Sequence, residues 1–288
     1  TNPNLTWEKI GTLNFGLYFS TRNNRLSGSL EWYYKNATDL IGLVPADITE
    51  GAGTVLSQNS AILHTKGVDI TLNTVNLQVP VKWTTSLLFS VNRDKVAKYL
   101  YSPTSYANYI GDGYLNTFKV GAPANSIISY KWAGLDPLNG NPRGYFNGQA
   151  SEDYESIVNS ATAGDIVVSG SALPQLFGSL RNDVQYKSLA LSFNIVYRFD
   201  YYFRRPVTGY SALFNNWQGY NDFDQRWQKP GDESKTNVPS LDYPADPNRD
   251  AVYNFSQVNV LKGDNIRLQD IRLSWEFNPG MIRNLGWI

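Results

Sequence analysis

The chain has 288 residues, 25 Lys+Arg against 25 Asp+Glu, a formal net charge of zero and no cysteine. Charge balance argues against nucleic acid as a partner, which needs a basic excess on one face, and the missing cysteines remove disulfide scaffolds, thiol nucleophiles and Cys-ligated metals. Charged residues are only 17% and aromatics 14%, with 23 Gly and 14 Pro, which favours strands and turns over helices.

The first element is an alternating run near 10–20, with Leu13, Phe15, Leu17 and Phe19 on one face. After the link Thr21-Arg22-Asn23-Asn24 a second strand near 25–37 carries Leu26, Leu30, Trp32 and Tyr34 against Ser27, Ser29, Glu31 and Lys35. A hairpin centred on that link pairs Phe19 with Leu26, Phe15 with Leu30 and Leu13 with Trp32. A loop is expected near 38–66. Strands near 67–77 (Val68, Ile70, Leu72) and 81–95 (Trp83, Leu87, Phe89, Val91) then flank a turn at Gln78-Val79-Pro80.

A second long loop is expected near 98–173. It leads to strands near 174–186 and 189–203, joined at Lys187-Ser188. Leu176, Leu180, Val184 and Tyr186 face one way with Leu189, Leu191, Phe193, Ile195, Tyr197 and Phe199. Ser179, Arg181, Asp183 and Gln185 face the other way with Ser192, Asn194, Arg198 and Asp200. The pairing sets Arg181 opposite Asn194 and Asp183 opposite Ser192. After a third loop near 204–263, the strand near 264–277 carries Ile271, Leu273, Trp275 and Phe277, while Ile266 and Leu268 are out of phase. That change predicts a bulge near Gln269-Asp270.

Short and long links alternate strictly, so all short turns fall at one end of an up-and-down sheet and all long loops at the other. Outer-membrane barrels have this asymmetry, and aromatics near strand ends (Trp32, Tyr33, Tyr34, Trp83, Tyr201, Tyr202, Phe203) fit interfacial girdles. The expected fold is all-β: part of an antiparallel transmembrane β-barrel. The chain, opening directly into strand pattern, reads as a piece of something larger.

The blocks Asn2-Pro3-Asn4-Leu5-Thr6-Trp7-Glu8, Asn24-Arg25-Leu26-Ser27-Gly28-Ser29-Leu30-Glu31-Trp32-Tyr33-Tyr34, Lys66-Gly67-Val68-Asp69, Gln225-Arg226-Trp227-Gln228-Lys229-Pro230-Gly231-Asp232 and Gly263-Asp264-Asn265-Ile266-Arg267-Leu268-Gln269-Asp270-Ile271 run in order along the chain. Together they resemble the SusC/RagA family of TonB-linked outer-membrane transporters of Bacteroidetes. The resemblance implies about seven strands of a barrel of about 22, without the plug domain, the segment that engages TonB or the final strands. A further strand is expected after Asn278-Pro279-Gly280, near where the chain ends at Trp287-Ile288. The resemblance also implies a SusD-like surface lipoprotein as a lid, a Gram-negative outer-membrane setting, and active import of a nutrient oligomer, glycan first and peptide next.

No catalytic constellation emerges, and no cofactor or metal is expected. His64 is alone in the first loop. Gly51-Ala52-Gly53 lacks the Gly-Lys-Ser/Thr of a phosphate loop. In Gly134-Leu135-Asp136-Pro137-Leu138-Asn139-Gly140 the single carboxylate, Asp136, makes a poor calcium loop and reads as turn chemistry. The candidate sites are of two kinds. Arg181, Asp183, Asn194, Arg198 and Asp200 form a lumen-facing polar set, either bonded among themselves and to a plug or lining a solute path. Trp132, Tyr145, Trp217 and Tyr220 offer flat faces for sugar rings or peptides, unless they only pack the loops together. Arg226 and Asp232 read as setting loop geometry. The alternatives to import are a passive channel or surface-binding barrel, and a soluble carbohydrate-binding or enzyme fragment.

Overall fold

The computed structural model describes residues 4–45, 55–101, 105–112 and 118–277, with side chains at 43–45, 55–56 and 111–112 excepted. Asn2-Pro3, Gly51-Ala52-Gly53, Asn278-Pro279-Gly280 and Trp287-Ile288 lie outside the described residues. The chain opens with four long strands: β1 (Lys9–Ser20), β2 (Leu26–Pro45), β3 (Val55–Leu77) and β4 (Val81–Tyr99). A long connection then holds β5 (Gly111–Asp112), β6 (Ser126–Tyr130), β7 (Gly144–Phe146), β8 (Gln149–Ser151), helix α1 (Tyr154–Ser160) and β9 (Ile166–Ser171). Next come β10 (Leu176–Tyr186), β11 (Leu189–Phe199), β12 (Tyr202–Arg204), α2 (Tyr210–Asn216), α3 (Pro247–Asn254), β13 (Val260–Lys262) and β14 (Asn265–Trp275).

Seven strands form one antiparallel meander in the order β1-β2-β3-β4-β10-β11-β14. Its register sorts the side chains cleanly. Across one face run Phe15 beside Trp32, Trp32 beside Val68, Val68 beside Val91, Val91 beside Leu176 and Leu176 beside Phe199. The opposite face carries Glu31 beside Asp69, Asp69 beside Ser90, Ser90 beside Phe177 and Phe177 beside Arg198. Large apolar side chains on the first face stay uncovered: Ile271 is 62% exposed and Leu273 68%. A surface that apolar is unfavourable in water and favourable in hydrocarbon. Across its eleven-residue strands the apolar band is about 37 Å long, or about 26 Å high at a 45° tilt, matching a lipid-facing barrel band.

Hairpin turns set the register. At Lys187-Ser188 the left-handed Lys187 (φ 52°) closes a two-residue turn, and Arg181 lies opposite Asn194 and Asp183 opposite Ser192, as the alternation requires. The expected bulge is present: Asn194 pairs with Asp270 and Ile195 with Leu268, leaving Gln269 as the extra residue. The first hairpin corrects the sequence reading. Phe15 faces Trp32 and Leu13 faces Tyr34, a shift of two residues from the expected pairs, because the turn is longer. The Thr21 amide donates to the Leu26 carbonyl at 2.8 Å, and Thr21 Oγ1 accepts from the Leu26 amide at 3.1 Å. A shift by two keeps every side chain on its face.

β2 and β3 also run well past the limits their hydropathy suggests. Register shifts near Ala37/Leu40 and Ile62/Leu63 interrupt the alternation without ending the ladder. Much of 38–66 is therefore strand, and His64 sits on β3 opposite Asn36 and Lys95 rather than in a loop. β11 ends at Phe199 instead of reaching Phe203, because Asp200 turns left-handed (φ 60°) and the chain restarts as β12. On the apolar face Gly178 leaves room for the Tyr197 ring, whose hydroxyl donates to the Leu88 carbonyl at 2.7 Å.

The long connections are not open loops. They fold into a cap with its own apolar core, in which Ile110, Ile128, Tyr130, Tyr154, Ile157, Ala161, Ile166 and Val252 come together. A three-stranded sheet, β5-β6-β9, and a two-stranded one, β12-β13, build it, and the Tyr130 amide donates to the Phe255 carbonyl at 3.0 Å to join its halves. A second cluster of Ala61, Val96 and Tyr99, with Leu40, Leu63, Tyr101, Phe118 and Ala124 against it, seats the cap on the upper ends of β2, β3 and β4.

Candidate functional site

Two surfaces offer functional chemistry: the polar face of the sheet and the outer surface of the cap. On the polar face Arg181 Nε donates to Asp183 at 3.3 Å and Arg181 Nη2 to Ser192 Oγ at 3.5 Å. Asn194, across from Arg181, keeps a buried Oδ1 without a hydrogen-bond partner. Lys82, Thr84, Gln185, Arg272 and Ser274 complete a hollow of about 290 Å³ around this group at the short-turn end. Arg198 is on the same face but higher, beside Phe177, in a hollow of about 460 Å³ that also takes Leu88, Val196, Ser90 and Ser179. That apolar island was not visible as such in the sequence, because Leu88, Phe177 and Val196 look like ordinary interruptions in three separate strands. Asp200 leaves the set. Its left-handed turn carries the carboxylate to Arg93 at 3.2 Å, on the row that continues the apolar face upward.

The cap scatters the four aromatic candidates. Trp132 packs on Tyr253, ring centroids 6.1 Å apart, and Tyr145 lies half-buried in the β7-β8 hairpin. Trp217 and Tyr220 share one segment and point outward, 90% and 54% exposed. Trp217 is the left-handed residue that ends α2 (φ 55°), and Tyr220 is fixed by its amide, which donates to Thr208 Oγ1 at 2.8 Å. Tyr220 borders a hollow of about 450 Å³ with Arg205, Asn221, Asp222 and Gln225. Arg205 was missed from the sequence; its Nε donates to Asn259 at 3.2 Å, which fixes a guanidinium beside an exposed ring.

Buried polar groups hold this surface in place. Asp222 accepts from Thr208 Oγ1 at 2.6 Å, and Asp250 accepts from the Tyr210 and Ser211 amides at the start of α2 at 3.0 and 2.6 Å. Arg249 donates to Asn141 at 3.0 Å and to the Ser240 carbonyl at 2.8 Å while lying over the Tyr210 ring. Burial pushes the Tyr210 hydroxyl up to about 12, opposed by the Arg249 charge, and burial lifts Tyr130 to about 12. Both phenols stay neutral and act as packing groups. Burial alone would raise the Asp165 pKa, but hydrogen bonds led by those from Thr162 outweigh it and hold the carboxyl below its ordinary value.

Residues read as loop geometry take that role. Arg226 stacks on Phe223 at 4.2 Å, and Asp232 accepts from the Gln228 and Lys229 amides at 3.3 and 3.1 Å. Trp227 lies where a Cβ on Gly140 would fall, so only glycine, here at φ 72°, lets the two loops meet. Asp136 accepts from the Leu138 amide at 2.8 Å and faces Arg143 at 3.8 Å, which makes it a turn residue.

A seven-stranded meander with one apolar face and a folded cap at the long-loop end defines a barrel wall of the outer-membrane type. The known proteins that it resembles agree. It is 26% identical over 96% of its length to a TonB-dependent receptor of Formosa agariphila, covering 28% of that protein. It is also 26% identical over 75% of its length to the TonB-dependent receptor SusC of Bacteroides thetaiotaomicron, covering 22% of it. A second Formosa agariphila receptor matches the whole chain at 24% identity, over 31% of the receptor. Among solved structures, the RagAB peptide transporter superposes with a TM-score of 0.70 over 97% of this chain and 30% of that one, at 23% identity. The RagAB peptide importer in its open-open state gives a TM-score of 0.70 at 22% identity, over 98% of this chain and 29% of that one. No family model matches the chain. The chain is SusC/RagA-like, similar in sequence to TonB-dependent receptors and in fold to a RagAB barrel, and it spans about a third or less of the relatives it matches.

Proposed function

We propose that this chain is the wall and outer cap of a TonB-dependent importer in the outer membrane of a Bacteroidetes-like bacterium, taking up an oligomeric nutrient. The observation that carries the reading is the two-faced sheet, one face apolar and the other polar, with the β4–β10 and β11–β14 connections folded together at one end. A spanning sheet needs closed edges, and among the described residues β1 and β14 each present one, so we infer that strands of a longer receptor complete the barrel. The polar face, with Arg181, Asp183, Asn194 and Arg198, then lines the lumen against a plug.

Substrate meets the exposed Trp217 and Tyr220 on the cap, while Trp132 and Tyr145 pack elsewhere in it. A glycan fits aromatic stacking best and a peptide next. A SusD-like lipoprotein covers the cap as a lid, and TonB acts through a part of the receptor outside this chain. Neither role involves bond-breaking chemistry by these residues, so the protein is a transporter rather than an enzyme.

The test uses the full-length receptor in cells. Deleting its TonB-engaging segment should abolish uptake while surface exposure of the barrel is unchanged. Uptake that persists would establish the passive-channel alternative, and a full-length protein that fractionates without detergent would overturn the membrane reading.

A further inference from the structure

Directly above the apolar band, on the same outward face, stands a row of cations. The register sets Lys66 opposite Arg93 and His64 opposite Lys95, with Tyr34 beside Lys66 and Asn36 beside His64. Like charges directly across a ladder repel, so Lys66-Arg93 is an arrangement a sheet does not adopt for its own stability. One carboxylate relieves it in part: Asp200 meets Arg93 at 3.2 Å, where the two side chains are 44% and 60% exposed. Asp94 borders the same hollow, of about 430 Å³, but its carboxylate accepts from the Ala124 amide at 2.6 Å. Lys66 and Lys95 have no carboxylate within ion-pair distance among the described residues.

Height decides what meets this row. Val68 and Val91 are the last apolar pair of the band, and Lys66-Arg93 and His64-Lys95 lie two and four residues above it. At about 3.4 Å per residue and a tilt near 45°, those pairs stand about 5 and about 10 Å above the hydrocarbon edge. The polar headgroup layer is about 5–8 Å thick on each side, so Lys66 and Arg93 fall within it and Lys95 stands just above it, within reach of its outer edge. Lysine stems can lie along the band while their ammonium groups remain among headgroups.

We propose that Lys66, Arg93 and Lys95 form a docking site for the phosphate of a sugar-based lipid headgroup in the outer leaflet. Bound phosphate replaces the missing counter-charge between the two strands and fixes the upper end of the β3-β4 pair to the surrounding lipid. The site depends on the outward orientation assigned to this face under the proposed function.

The experiment uses the full-length receptor, purified in mild detergent from outer membranes, with retained phosphoglycolipid measured by native mass spectrometry. One variant carries Lys66→Gln, Arg93→Gln and Lys95→Gln together. A control carries Lys82→Gln and Arg272→Gln on the polar face. At about fivefold in binding for each basic residue near an anionic surface, the triple variant should retain about a hundredfold less phosphoglycolipid and the control the wild-type amount. Delipidated receptor should rebind the phosphorylated glycolipid, should not rebind the same lipid after phosphatase treatment, and should not be saturated by inorganic phosphate alone. Equal retention by the triple variant, equal loss by the control or rebinding of the dephosphorylated lipid overturns the proposal. If the triple variant fails to insert, Lys66→Gln and Lys95→Gln singly, each retaining about a fifth, decide it. Failure of the wild-type receptor to reach the outer membrane would instead overturn the functional reading beneath it.

Discussion

At the level of single residues, the cap depends on carboxylates that accept backbone amides. Asp165 is fully buried and accepts from Thr162 Oγ1 at 2.6 Å, the Thr162 amide at 2.9 Å and the Gly148 amide at 3.0 Å. Its folded-state pKa is lowered, so its contribution is present above the unfolded carboxylate value, near 4, and is lost as pH falls through the lower folded value. Asp165→Asn should destabilise the cap by about 1.5–3 kcal/mol at neutral pH, and the gap between variant and wild type should shrink as pH falls below about 4. Protection of cap amides in hydrogen exchange, followed from pH 7 to pH 3, reads this directly; a gap that does not change with pH would show the carboxylate is not what holds the site. These bonds explain why candidate residues were only partly legible. Trp217 and Tyr220 stand out in sequence as aromatics in a polar stretch and are indeed exposed. Arg205, beside Tyr220, had no signal, since nothing local indicates that Asn259 fixes it from across the cap.

At the level of elements, alternation was sufficient where a short turn pinned it. The β10-β11 register and the Gln269 bulge follow from hydropathy phase alone, because one residue of slip would send Leu191, Phe193 and Ile195 to the polar face. The β1-β2 register did not follow, because side-chain bonds from Thr21 enlarge the turn in a way the apolar pattern does not record. The cap's helices were missed for a different reason. With 7, 7 and 8 residues they are too short to show a helical period, and Asp153 and Asp246 cap α1 and α3 in stretches that read as turns. The two faces of β11 give an element-scale test. Ile195→Lys, on the apolar face, should cost about 2–4 kcal/mol in urea unfolding of the full-length receptor in lipid vesicles, whereas Asn194→Lys on the polar face should cost far less. Equal costs would mean the faces have been assigned wrongly.

At the level of the whole molecule, the wall and the cap have separate interiors. Among the described residues the wall has no core of its own beyond the small Ala61-Val96-Tyr99 cluster beneath the cap, and its apolar face is uncovered. The cap buries a full apolar cluster and cross-links residues distant in sequence through Arg249, which is 3% exposed and reaches Asn141 and Ser240. Arg249→Met should therefore expose the segments 134–144 and 239–250 to protease while the barrel keeps its heat-modifiable migration. Loss of both together would show that wall and cap unfold as one unit.

The seating of the cap on β2, β3 and β4 joins two regions that answer to different solvents. Apolar burial inside the cap is driven by water and weakens on cooling, whereas the wall is held by hydrocarbon, which exerts no such force between its own side chains and the lipid. Chilling or a mild denaturant should thus loosen the receptor's outer surface first and leave its passage through the membrane standing, so that recognition and permeation fail at different temperatures in one polypeptide.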